Sequence, residues 1–284
     1  MNMMVPKGGA MVTKSQTIII SVHIILSMVM TGFIKLPAHA EVFSAEPIST
    51  NSPQQKKDAL FSVEVISEES LKSTGKRVLI YHTHTYEAYE QSTLDPYQQT
   101  EKWRTTDNEH NMVAVGKTLA AHLRVLGIEV VHDTTAFEPP NLDTAYERSL
   151  AMLERRQANG EKYDLYLDLH RDALASSSTI KRTVNIGGEE IARLMVLVGK
   201  GTAGGYDKKP NWEDNLVLAQ QITDTLNSYC PQLSRDVKIK TGRFNQHIST
   251  GCLLIECGLN YNTIHEVLAA MPYLADAISQ TLRK

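Results

Sequence analysis

The chain predicts an α/β fold, a single three-layer domain with a mostly parallel central sheet and flanking helices. Apolar strand-like runs alternate with stretches of helical periodicity from residue 76 to the C-terminus. Two of the runs, 78–84 and 164–170, end in histidine, and a third, 251–258, carries Glu256 among Leu254, Ile255 and Cys257. Functional groups in an open α/β sheet gather beyond the carboxyl ends of its strands, so the same runs locate a candidate site.

The first 40 residues differ from the rest. Lys7 and Lys14 precede an apolar run at 17–34, and Pro37-Ala38-His39-Ala40 follows it. Alanines at 38 and 40 fit an A-x-A cleavage site, which makes the segment a secretory signal peptide. Residues 17–36 are also long enough to span a membrane, so an uncleaved anchor is the alternative, although His23 and Lys35 weaken the run as a permanent span. Either reading puts the remainder outside the cytoplasm, in the cell envelope. Residues 41–75 form a linker rich in Ser, Pro, Gln and Lys, broken by Pro47 and Pro53, with a short edge strand at 60–65.

The catalytic domain is expected over 76–284. Further strands fall at 129–132, 194–198 and 237–240, and helices at 108–126, 142–158, 214–229 and 263–282. In the first helix Met112, Val113, Gly116, Leu119, Ala120, Leu123 and Leu126 recur at helical spacing, with Asp107 as N-cap and Gly127 as the stop. That boundary puts Glu109 in the first turn. The glycines of 199–205 lack the Gly-Lys-Ser/Thr ending of a phosphate-binding loop and read as a surface loop.

With 42% hydrophobic and 21% charged residues in 284, the composition excludes wholesale disorder. A formal net charge of -3 supplies no general attraction to nucleic acid. Cys252 and Cys257 lie an odd number of residues apart on one strand and so face opposite sides of the sheet. They cannot bridge each other, and with Cys230 they read as small buried hydrophobes.

The chemistry these residues suit is that of a zinc hydrolase. Catalytic zinc keeps three protein ligands and an open position. His84 and His170 supply two nitrogens. Glu109 is the third ligand chosen, with His110 its competitor, because neighbouring helical positions point about 100° apart and only one can face the ion. His82 shares a face of extended chain with His84 and is either a ligand or a supporting group. Glu256, a carboxylate on a core strand, suits a general base and acid near a cation; an ion pair with Arg171 or Arg182 is the structural alternative. Arg171, beside His170, suits either a substrate carboxylate or a supporting acid. Asn245, Gln246 and His247 form a polar cluster fit for substrate hydrogen bonds or for turn chemistry.

Four segments in order, Tyr81-His82-Thr83-His84-Thr85-Tyr86-Glu87-Ala88-Tyr89, Asp168-Leu169-His170-Arg171-Asp172-Ala173, Phe244-Asn245-Gln246-His247 and Leu254-Ile255-Glu256-Cys257-Gly258-Leu259-Asn260, resemble the stage II sporulation protein P family from about residue 77 onward. That family is related to the zinc-dependent N-acetylmuramoyl-L-alanine amidases, which makes the expected fold amidase-like. On the amidase pattern His84, Glu109 and His170 fall on the zinc ligands and Glu256 on the catalytic acid, with Asn260 in the segment after it. Thr85-Tyr86-Glu87 replaces the glycine-rich turn of the amidase pattern, a departure that touches the pocket's shape.

The resemblance implies cleavage of the amide between the lactyl group of N-acetylmuramic acid and L-alanine in peptidoglycan. It also implies an endopeptidase activity on cross-links, a role in sporulation engulfment, Zn2+ as cofactor and a lytic transglycosylase partner. Two alternatives stand beside it: a peptidoglycan-binding scaffold without catalysis, and a zinc peptidase acting on the stem peptide.

Overall fold

A computed structural model describes residues 73–283. The expected leader, linker and edge strand at 60–65 lie outside the described residues. Six strands form one sheet: β1 (Arg77–Tyr81), β2 (Glu129–His132), β3 (Leu165–Asp172), β6 (Leu194–Gly199), β7 (Lys238–Lys240) and β8 (Cys252–Leu259), in the spatial order β2-β1-β3-β8-β6-β7. All neighbours are parallel except β6 and β8. The mostly parallel sheet is therefore as the sequence predicts, with one reversed pairing. An unforeseen hairpin, β4 (Thr183–Ile186) and β5 (Glu189–Ala192), stands apart from this sheet. Its turn is Gly187-Gly188, both at positive φ, which other residues adopt only with strain.

Strand alternation divides the core into two. On β3, Leu165, Leu167 and Leu169 pack with Val78, Ile80, Leu253 and Ile255 against α1 (Met112–Val125), α3 (Trp212–Tyr229) and α5 (Met271–Leu282). Tyr166 faces the other way and packs with Leu79, Tyr81 and Cys252 against Met152 and Leu153 of α2 (Ala145–Ala158). Three layers result, with α2 on one face and α1, α3 and α5 on the other. Cys252 and Cys257 sit in opposite cores, and all three cysteines are free.

Two boundaries differ from the sequence expectation. Helix α1 begins at Met112, capped by Asn111, whose side chain accepts from the Val113 N–H at 2.9 Å and donates to the Thr105 carbonyl at 3.2 Å. Asp107 instead accepts from the Glu109 N–H at 3.0 Å and meets the His110 ring at 2.7 Å. Glu109 and His110 thus precede the helix. The long terminal helix is two, α4 (Ile264–Leu268), opened by a Thr263–Glu266 capping box, and α5, which starts with Pro272 in its first turn. Among the described residues no helix is long and apolar enough to cross a membrane.

Candidate active site at the carboxyl edge of the sheet

Strand register puts His170 of β3 directly beside Glu256 of β8. The same alternation that sends Tyr166 and Cys252 toward α2 sends Asp168, His170, Leu254 and Glu256 there too. β1 stops at Tyr81, and the chain then turns through 82–87, with the Glu87 N–H donating to the His84 carbonyl at 3.3 Å. This turn carries His84 and Glu87 to the same edge. The His84 and His170 rings meet edge to face with centroids 5.2 Å apart, and Tyr146 of α2 lies nearly parallel to His170 and edge-on to His84.

Glu87 is the carboxylate at this histidine pair. Its Oε2 is 3.6 Å from His170 Nδ1 and accepts from the Arg171 N–H at 2.9 Å. Burial works to raise its pKa, but His170 and then Arg171 and His84 outweigh it and hold the group at about 2. The opposite nitrogen, His170 Nε2, is 3.0 Å from Asp168 Oδ1. Asp168 is itself fixed by the Thr83 N–H at 2.8 Å and the Thr83 hydroxyl at 2.6 Å. Burial would lower the His170 pKa, yet Asp168 and Glu87 drive it well above the usual value. His84 moves the other way, lowered by burial and by the neighbouring His170.

Glu256 is 8% exposed, with Oε2 buried and without a hydrogen-bond partner. Burial, with the charges of Glu87 and Asp172, outweighs His170 and pushes its pKa up to about 7. No ion pair joins it to Arg171 or Arg182 among the described residues. Such a carboxylate, poised near neutrality beside an imidazole, is suited to passing protons in both directions.

The structure does not bring Glu109 to this cluster. Its side chain is 66% exposed and paired with Lys117 at 3.1 Å, because the helix starts four residues later than expected. His110 is not there either: its ring lies between Asp107 at 2.7 Å and Asp95 at 3.0 Å, stacked on Tyr97. His82 turns into the α1 layer, where its Nε2 is 2.8 Å from His132 Nε2, so one ring donates to the other. Gly116 leaves room for that pair; a Cβ there would stand 2.4 Å from His132 Nε2 and 2.6 Å from His82 Nε2.

Arg171 is buried with its Nε unpartnered, and its charge favours ionised Glu87. Asn245 holds the Tyr146 carbonyl at 2.9 Å and the Ser149 hydroxyl at 3.0 Å, so it supports α2 from below. Gln246 binds both the Gly199 N–H and the Leu197 carbonyl, a structural role. Asn260 pins Leu174 by accepting its N–H at 2.9 Å. His247 is buried with an unpartnered Nδ1, and burial followed by Arg243 and Lys208 lowers its pKa to about 4. The residues that sequence reasoning missed are Glu87 and Tyr146. The His84-x-x-Glu87 spacing in the first turn after β1 was the available signal for the former; Tyr146 carries none.

The donor chemistry fits a divalent cation: two imidazoles and a carboxylate meet at one edge of the sheet. The 3.6 Å between His170 Nδ1 and Glu87 Oε2 is near the roughly 3.4 Å between two ligands of a tetrahedral zinc ion. Asp168 behind His170 is the outer carboxylate that ligating histidines usually have. As they stand, no three His, Cys, Asp or Glu side chains among the described residues are gathered at metal-binding spacing. His170 and Glu87 stand at ligand spacing, and His84 flanks them.

These features define an α/β protein with a buried histidine–carboxylate cluster at the carboxyl edge of its sheet. Over residues 37–279 the chain matches the family model described as Stage II sporulation protein P, and it belongs to that family. The match begins well before residue 77, where the motifs start. Comparison with curated proteins gives no match. Among solved structures, the chain is similar to an N-acetylmuramoyl-L-alanine amidase from Clostridium difficile 630 (18% identity, 74% of this chain and 95% of that one, TM-score 0.44). It is also similar to the amidase AmiC2 of Nostoc punctiforme (17% identity, 74% and 96%, TM-score 0.42). A third is the CwlD amidase of Clostridioides difficile, solved in complex with the GerS lipoprotein (14% identity, 73% and 96%, TM-score 0.44).

Proposed function

We propose that this protein is an exported, zinc-dependent peptidoglycan hydrolase that cleaves the N-acetylmuramoyl-L-alanine amide during sporulation. The observation that carries the reading is the registered pair His170–Glu256, a buried metal-type imidazole beside a carboxylate held near pH 7. Membership of the family supports the sporulation role and the cell-wall substrate. In place of the expected His84, Glu109 and His170, the ligands are His84, Glu87 and His170.

A zinc ion at this position would polarise the scissile carbonyl and lower the pKa of water. The residues then divide the work. Asp168 fixes the His170 ring through Nε2, and Tyr146 limits rotation of both imidazoles by packing on them. Glu256 takes a proton on its carboxylate from the attacking water as the new C–O bond forms. It returns that proton to the nitrogen of L-alanine as the C–N bond breaks, leaving the lactyl carboxylate and a free amine. A lytic transglycosylase partner acting on the glycan strand, and cross-link cleavage as a second activity, belong to the same proposal. The test is E256Q, which should reduce amide release below detection while leaving zinc content unchanged; full activity in that variant would refute the assignment.

A further inference from the structure

Each histidine of the site has a buried carboxylate against one ring nitrogen, Asp168 at His170 and Glu138 at His84, and the same turn of chain secures both acids. Thr83 holds Asp168 behind His170. Tyr86 does the corresponding thing for Glu138: its N–H donates to Glu138 Oε1 at 3.3 Å, and Arg104 binds the other oxygen, Oε2. Glu138 is 5% exposed, and its Oε1 lies 3.8 Å from His84 Nδ1, a buried nitrogen that has no hydrogen bond.

The backbone around Glu138 is held independently of its carboxylate. The Phe137 N–H donates to the Thr85 hydroxyl at 3.3 Å, and that hydroxyl has its one proton to share between the His82 carbonyl at 2.9 Å and the Thr135 carbonyl at 3.2 Å. Arg148 reaches the carbonyls of Phe137 and Glu138 at 2.5 and 2.9 Å. Segment 135–138 is therefore fastened to turn 82–86, and the acid stays opposite the ring.

We infer that Glu138 is the positioning residue for His84. It accepts the Nδ1–H of the imidazole, selects that tautomer and leaves the Nε2 lone pair to face the ligand position; Arg104 keeps the acid oriented. The contact closes by about an ångström to reach hydrogen-bond length. The inference rests on the zinc reading proposed above. Glu138 touches no reacting atom in this account, so it acts through His84 alone.

Two measurements on the full chain test this. The first needs no variant: two-bond 1H–15N spectra of 15N-histidine-labelled, metal-free protein should show His84 in the Nδ1–H tautomer. The second is zinc affinity by competition with a chromophoric chelator. E138Q and E138A should bind zinc about 10- to 100-fold more weakly than the parent, with E138D recovering part of the loss and all folded by circular dichroism. Affinities within twofold of the parent, in a series where H84A and H170A lose zinc, would overturn the role of Glu138 and leave the metal site standing. A parent chain that binds no zinc would overturn both.

Discussion

His170 and Glu256 are registered neighbours on adjacent parallel strands, β3 and β8, with both side chains on the α2 face of the sheet. Two groups that exchange a proton or share a cation need a fixed separation, and strand register supplies it without relying on loops. The sheet also buries the carboxylate, which is why its pKa stands at about 7.

That burial has a consequence for stability. An acid whose pKa rises from 4.5 to about 7 on folding binds more protons folded than unfolded between those values, so its contribution falls as pH climbs through that window. In chelator-treated protein, E256Q should be more stable than the parent at pH 8 by roughly 3 kcal/mol. The gap should shrink toward zero by pH 4.5. Urea denaturation at the two pH values measures it, and a pH-independent difference would mean that Glu256 is not buried as an acid.

Glu87 and Glu109 should separate cleanly. E87Q removes the charge beside His170 and should lose at least a hundredfold in zinc affinity, read as metal content after desalting against a weak chelator. E109Q only breaks an exposed pair with Lys117, which is worth about 0–1 kcal/mol. It should match the parent in zinc content and in activity. The reverse pattern would restore Glu109 as the ligand.

Gly116 is a packing requirement of the His82–His132 pair. G116A gains about 1 kcal/mol of helix propensity but drives a methyl to within 2.6 Å of both imidazole rings, and overpacking of that kind costs about 1–3 kcal/mol. A net loss of stability is expected in thermal denaturation, part of it recovered in G116A/H132A. A stabilised G116A would show that the two rings are not held there.

Much of the sheet was legible because buried parallel strands are nearly continuous apolar runs. Residues 129–132 and 251–258 needed almost no correction, and His170 and Glu256 stand out as polar breaks in such runs. The turn after β1 was harder. Asp107, Asn108 and Asn111 are all competent caps, and which one opens α1 depends on how the preceding turn folds, with the Asn111 side chain donating back to Thr105 and Asn108. An Asp107 cap starts the helix four residues early and puts Glu109 in its first turn, whereas in the structure Glu109 precedes the helix. Glu87 is harder to read, because only its His84-x-x-Glu87 spacing is local and its value comes from a turn that folds it back onto His170, a contact across 83 residues. The β4–β5 hairpin leaves a weak pattern for a different reason: its strands are short, and their outward faces are polar.

The central claim is hydrolysis of a peptidoglycan amide at the His84–Glu87–His170–Glu256 cluster. Its most direct test is digestion of purified peptidoglycan by the purified protein, with and without a zinc chelator, with the released fragments read by mass spectrometry. The account predicts stem peptides bearing a free L-alanine amine, lost on chelation and restored by zinc. Peptidoglycan left intact by zinc-loaded protein would contradict it and favour a binding scaffold, while fragments cut only within the stem would favour a peptidase.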